Sequence, residues 1–156
     1  MGHSEPHESV SELESHLGYW LRYISNHVSH TFQMKVEESG VTVSEWVIMR
    51  EMFRIGYTSS TEIARHTGLT KSAVSKLVSR LEEKALLSRL LAEEDQRNHV
   101  LSLTKEGKLL VPLLADMADQ NDAEFFEFLT DIEKDSLLTL LKKIVREKQL
   151  KPFAID

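Results

Sequence analysis

Thr61 to Leu81 reads TEIARHTGLTKSAVSKLVSRL, and two helices joined by a tight turn are spelled in it. Ser59-Ser60-Thr61-Glu62 places a hydroxyl three residues before a glutamate, the spelling of a capping box, and opens a short helix, Glu62 to Thr67. Gly68 stops it, because glycine enters the left-handed turn without a Cβ clash. Leu69 follows as an apolar anchor. Thr70 is the N-cap of a second helix, Lys71 to Lys84. Its Val74, Leu77, Val78 and Leu81 fall at i, i+3, i+4 and i+7, one packed side of a helix. Ser72, Ser75, Lys76 and Ser79 repeat that spacing on another face. Ile63 and Ala64 pack the first helix, and Val74 and Leu77 lock the second against it. This is the arrangement of a helix-turn-helix, whose second helix enters the major groove of DNA.

The exposed residues suit that task. Small Ser72, Ala73 and Ser75 let a helix approach base edges; hydroxyls donate and accept, and alanine meets a thymine methyl. Lys71, Lys76 and Arg80 can neutralise phosphates or reach guanine. Ser60, Thr70 and Ser79 complete the set expected at the backbone and groove.

After the second helix come Leu87-Ser88-Arg89-Leu90-Leu91, the polar stretch Glu93 to Asn98, and His99 to Leu103. They read as two short strands around a charged loop, a hairpin. Its tip offers Arg97, a planar cation suited to a narrow minor groove. Asp95 is placed to pair with an arginine, Arg97 among the candidates.

These residues resemble the MarR (multiple antibiotic resistance regulator) family. The resemblance is carried by Thr61-Glu62-Ile63-Ala64, Leu69 to Leu81, Glu83-Lys84-Ala85-Leu86-Leu87, and Asp95-Gln96-Arg97 followed by Leu101-Ser102-Leu103-Thr104-Lys105-Glu106-Gly107. The family's wing pattern is Asp-x-Arg, alternating apolar residues, then Leu-Thr-x-x-Gly. Gln96 stands where the family often has a basic residue, so fewer phosphate contacts are expected at the wing. The resemblance covers about Leu13 to Lys148. It implies a mainly α winged helix-turn-helix fold with a two-stranded β-hairpin wing and long N- and C-terminal dimerisation helices. It further implies a homodimer on pseudo-palindromic double-stranded operator DNA, repression, and often release by small aromatic ligands.

Outside the centre, Ser9 and Glu12 spell a capping box ahead of a long helix to about Glu37. Its stripe is Leu13, Leu17, Trp20, Leu21, Ile24, Val28 and Phe32. Gly40 breaks it. Ser44 is read as the cap of a helix Glu45 to Phe53. Thr104 caps a long helix that Pro112, several residues inside it, is expected to bend, and that Phe125 to Leu129 ends. Thr130-Asp131-Ile132-Glu133 caps a last helix, Glu133 to Lys148. The organisation expected is a loose tail over 1–8, a dimerisation helix over 9–37, a DNA-binding domain over 38–108 and dimerisation helices over 109–156.

Leu17, Leu21, Ile24 and Val28 at one end and Leu137, Leu140, Leu141, Ile144 and Val145 at the other exceed what a monomer can cover. About half are expected in the local core and the rest in a two-fold interface. Phe153 could anchor on the partner subunit. Trp20, Tyr23, His27, Trp46, Met49 and Arg50 form a candidate pocket for a small aromatic carboxylate or phenol, the competing reading being that both tryptophans are core. His16, His27 and His30 read as solvated or structural histidines more readily than as a zinc site.

Composition frames these readings. The 156 residues are 41% apolar and 28% charged, an ordinary globular balance, and include no cysteine. Disulfides, thiolate metal sites and thiol catalysis are thereby excluded. No 18-residue apolar run or signal-peptide core is present, so a cytoplasmic protein without a membrane span is expected. The net charge is −6, yet Arg65 to Lys108 holds nine Lys and Arg against six Asp and Glu. A basic centre on an acidic body suggests one anion-facing surface. No nucleophile elbow, P-loop, dinucleotide glycine motif or His-Glu-x-x-His occurs, so neither an enzyme nor a cofactor is expected. The competing function is a winged helix used only for protein contacts.

Overall fold

The computed structural model describes residues 9–92 and 95–151; at 91, 92 and 95–98 only the backbone is described. The expected N-terminal tail and Phe153 therefore lie outside the described residues. A short 3-10 turn, Leu13–Ser15, precedes α1 (Leu17–Glu38), α2 (Val43–Ile55), α3 (Ser60–Thr67) and α4 (Lys71–Glu83). Then come β1 (Leu87–Ala92), β2 (Asp95–Leu103), α5 (Lys105–Phe125) and α6 (Asp131–Glu147). The fold is the mainly α winged helix-turn-helix expected.

Helix starts follow side-chain chemistry. The hydroxyls of Ser59, Thr70, Thr104 and Thr130 each accept the N–H three residues on, at Glu62, Ala73, Gly107 and Glu133. At Thr130 the return bond is present too, Thr130 N–H donating to Glu133 Oε1 at 3.0 Å, a complete capping box. Two starts differ from expectation. Thr42, not Ser44, caps α2, its hydroxyl accepting Glu45 N–H at 3.1 Å. The Ser9–Glu12 capping box does not open the first long helix, because the chain extends at His16 before α1 begins. Gly40 ends the first hairpin of helices with φ +88.

One core holds the centre together. Ile48, Met49 and Met52 of α2, Ile63 of α3, Val74, Val78 and Leu81 of α4, Leu101 of β2 and Leu114 of α5 are all buried. Each such side chain contributes about 1.5–3 kcal/mol relative to exposure. Val36 at the end of α1 joins them. Above it, α1 meets α5 through polar bonds: Thr31 Oγ1 donates to Asn121 Oδ1 at 2.8 Å, and Asn121 Nδ2 donates to Val28 O at 3.2 Å. The helix α5 runs on through Pro112.

The hairpin pairs Leu87 with Leu103 through Leu91 with His99, then shifts register so that Ala92 faces Asp95. The polar stretch expected as a loop is therefore largely strand from Asp95 onward, and Glu93 and Glu94 lie outside the described residues. On its other edge Thr58 adds a bridge, with Thr58 N–H to Leu101 O at 3.0 Å and Leu101 N–H to Thr58 O at 2.8 Å.

The largest departure concerns the terminal helices. Half of their apolar stripe was expected in the local core. Instead no residue of α6 is buried, and Leu137, Leu140, Leu141, Ile144 and Val145 are exposed, as are Leu17, Leu21 and Ile24; Val28 is half-buried. The short loop after α5 swings α6 away from the core, so the chain leaves this surface uncovered.

Candidate nucleic-acid interface

The turn between α3 and α4 is built from three adjacent residues. Gly68 takes φ +75, and its N–H reaches Ala64 O at 3.0 Å. Leu69 packs on the core, and Thr70 caps α4. The turn sets α4 across α3 with Val74, Leu77, Val78 and Leu81 inward.

The opposite face is open. Lys71, Ser72, Ser75, Lys76, Ser79 and Arg80 are exposed, and Ala73 is half-buried among them. Thr70 is exposed but its hydroxyl is engaged in the cap. Ser60 is half-buried at the start of α3. Asp95 and Arg97 fall on β2, but their side chains lie outside the described ones, so the expected Asp95–arginine pair does too.

Several cations outside this face are committed to carboxylates. Arg54 is tied to Glu51, Arg65 to Glu62, Lys35 to Glu124 and Lys84 to Glu45. The hydrogen bond from Arg65 holds the Glu62 carboxyl below the usual glutamate range, with His66 adding to the effect. Among the described residues no carboxylate lies within ion-pair distance of Lys71, Lys76 or Arg80. Unpaired cations flanking small hydroxyl residues are what a polyanion with hydrogen-bonding grooves would meet.

The residues expected to form a ligand pocket divide into groups. Tyr23 stacks on His27, ring centres 5.0 Å apart, and lies 6.2 Å from Trp20. Trp20 is 45% exposed, so it is not core, and its Nε1–H donates to Glu14 O at 2.8 Å. On α2, Trp46 is 4% exposed and carries the Arg50 guanidinium 5.7 Å from its ring centre. That pair lines a concavity of about 620 Å³ with Val47, Glu51, Phe53 and Arg54. Met49 is fully buried and belongs to the core, a correction to the expected set. Trp20 precedes Val36 by sixteen residues, roughly 24 Å of helix, so the α1 aromatics and the α2 pair stand apart within one chain.

Two structural features escaped the sequence reading. Thr58 adds an isolated bridge to the wing at Leu101, and Glu45, 1% exposed, is buried against Lys84. The Thr42–Glu45 spacing was the available signal for the cap; nothing local announces the Lys84 partner.

Fold and site together define a winged helix-turn-helix regulator of transcription. Residues 39–98 match the sequence profile of the MarR family. It is 27% identical over 126 residues to the Bacillus subtilis transcriptional repressor MdtR, covering 81% of each chain. Its fold matches Bordetella bronchiseptica BpsR, a protein whose DNA binding is regulated by 6-hydroxynicotinic acid, with TM-score 0.73 and 23% identity over 87% of this chain and 97% of that one. It also matches a variant of Escherichia coli MarR in complex with operator DNA, with TM-score 0.72 and 18% identity over 83% of this chain and 93% of that one.

Proposed function

We propose that this chain is a homodimeric repressor that reads an inverted-repeat operator and is released by a small aromatic ligand. The observation that carries it is the solvent face of α4, where Lys71, Lys76 and Arg80 have no carboxylate partner among the described residues and stand around Ser72, Ser75 and Ser79. In this reading Ser72, Ala73 and Ser75 meet base edges. Lys71, Lys76 and Arg80, with Ser60, Thr70 and Ser79 at the margin, meet phosphates. Arg97, oriented by Asp95, enters the minor groove.

The dimer reading is supported by the uncovered apolar residues of α6 and of the first half of α1. Exposed leucine and isoleucine repeating at helical spacing mark an association surface. Residues 9–37 and 109–156 would supply it and 38–108 the DNA contacts. The cuts fall inside α1 and α5, so the division is one of role along continuous helices. For the ligand, the Trp46–Arg50 pair offers a flat ring and a fixed planar cation, suited to an aromatic carboxylate or phenolate. Release follows if that ligand favours a dimer whose two α4 helices are misplaced for the groove.

A gel shift across salt concentration tests the DNA reading. Affinity should fall steeply with salt, and Lys76→Ala should lower the slope by about one phosphate's worth. Arg97→Ala should cost about 1–3 kcal/mol on a selected site. Binding unchanged in both variants would favour the protein-contact module instead.

A further inference from the structure

Glu45 sits in the first turn of α2 and is 1% exposed. Lys84, the C-cap of α4, donates to both of its carboxylate oxygens, at 2.9 Å to Oε1 and 2.8 Å to Oε2. The acid lies at the positive end of one helix and the cation at the negative end of the other, so both dipoles favour the pair. Among the described residues this is the side-chain ion pair between α2 and the end of α4; the buried side chains of the two helices, Met49, Met52, Leu77 and Leu81 among them, belong to one apolar core. Apolar contact is non-directional and tolerates small sliding. A two-pronged ion pair does not.

We infer that the Glu45–Lys84 pair is a positioning device that fixes the angle of α4 and thereby its discrimination among DNA sequences. The inference rests on the reading that α4 meets base edges. The N-terminal end of α4 is held by the Gly68 turn and the Thr70 cap. Its C-terminal end is held by Lys84. With both ends fixed, the helix cannot swing about the turn. Base contacts demand placement within about half an ångström, and supporting residues behind them set that precision. Replacing a buried ion pair by apolar residues is often neutral for stability, so the pair's contribution is expected in selectivity. Lys84 faces away from DNA in this arrangement, its ammonium committed to Glu45, and acts through α4.

The test measures binding to two duplexes of equal length, one enriched by the wild-type chain from a random pool and one of random sequence. Glu45→Gln and Lys84→Met are compared with wild type, singly and together. Gln keeps the shape of Glu45, and Lys84, already 37% exposed in its side chain, can turn to water. Each single change should lower the preference for the enriched duplex about tenfold, comparable to one mismatched base pair. Affinity for the random duplex and its salt slope should stay as in wild type. The combined variant should be no worse than the worse single one, since both remove the same tie. Preference unchanged in folded variants, even with a lowered Tm, overturns the inference and leaves the pair structural. A parallel loss on the random duplex also overturns it, because Lys84 would then be a phosphate contact. If either single variant fails to fold, Glu45→Met with Lys84→Met takes its place under the same expectations. A wild-type chain that enriches no duplex overturns the DNA reading along with this one; selectivity that survives the changes overturns this one alone.

Discussion

A Cβ on Gly107 would lie 2.2 Å from the carbonyl oxygen of Leu86. That oxygen cannot retreat, because it accepts Thr104 N–H at 3.1 Å, while Thr104 Oγ1 donates to Ala85 O at 2.7 Å. The first turn of α5 is thus pressed on the segment that leads from α4 into the wing. The glycine of the Leu-Thr-x-x-Gly pattern is required by close approach, since its φ is not in the left-handed region. Gly107→Ala should lower unfolding free energy by about 3 kcal/mol, at the upper end of overpacking costs. Urea denaturation checks it, and wild-type stability in the variant would contradict the contact.

Ala85 adopts φ +59 in the same segment. A side chain in the left-handed region costs about 1–2 kcal/mol relative to glycine, part of it offset by glycine's freer unfolded chain. Ala85→Gly should therefore stabilise the chain by about 1 kcal/mol, whereas Ala85→Val should destabilise it, a branched Cβ fitting this region worst. Thermal unfolding of the two variants reads the sign directly.

The backbone N–H of Thr130 donates to the Glu133 carboxylate and, with the Thr130 side chain adding to the effect, holds the Glu133 carboxyl below the usual glutamate range, while the Thr130 hydroxyl accepts the Glu133 N–H. A lowered folded value means the charged form is favoured on folding. Its stabilising contribution is then complete above the ordinary glutamate value and is lost as pH falls through the lowered folded one. Glu133→Gln should be less stable than wild type at neutral pH, and the difference should close as the solution is acidified. A difference that stays constant with pH would mean the capping box carries no charge-dependent share.

Local chemistry explains how much of this was legible in the sequence. Gly68, Thr70, Thr104 and Thr130 announce helix limits because capping is decided by three or four consecutive residues. The wing's second strand was legible over His99 to Leu103 but not at its start, Asp95 to Asn98. Asp95-Gln96-Arg97-Asn98 is polar throughout, with no apolar alternation to mark a strand. The burial of Glu45 was not legible, because a charge seldom enters a core unpaired and its partner lies 39 residues away, beyond any periodicity. The face of α4 was legible since four apolar residues at helical spacing fix the other side. The burial of Met49 was not, because periodicity alone does not say which side of α2 the core takes.

Sequencing the duplexes that this chain retains from a random pool tests the central claim most directly. The account predicts enrichment of an inverted repeat with half-site centres about 10 bp apart, the spacing of two recognition helices one DNA turn apart. Retained duplexes with no common sequence, or with a single asymmetric site, would contradict it.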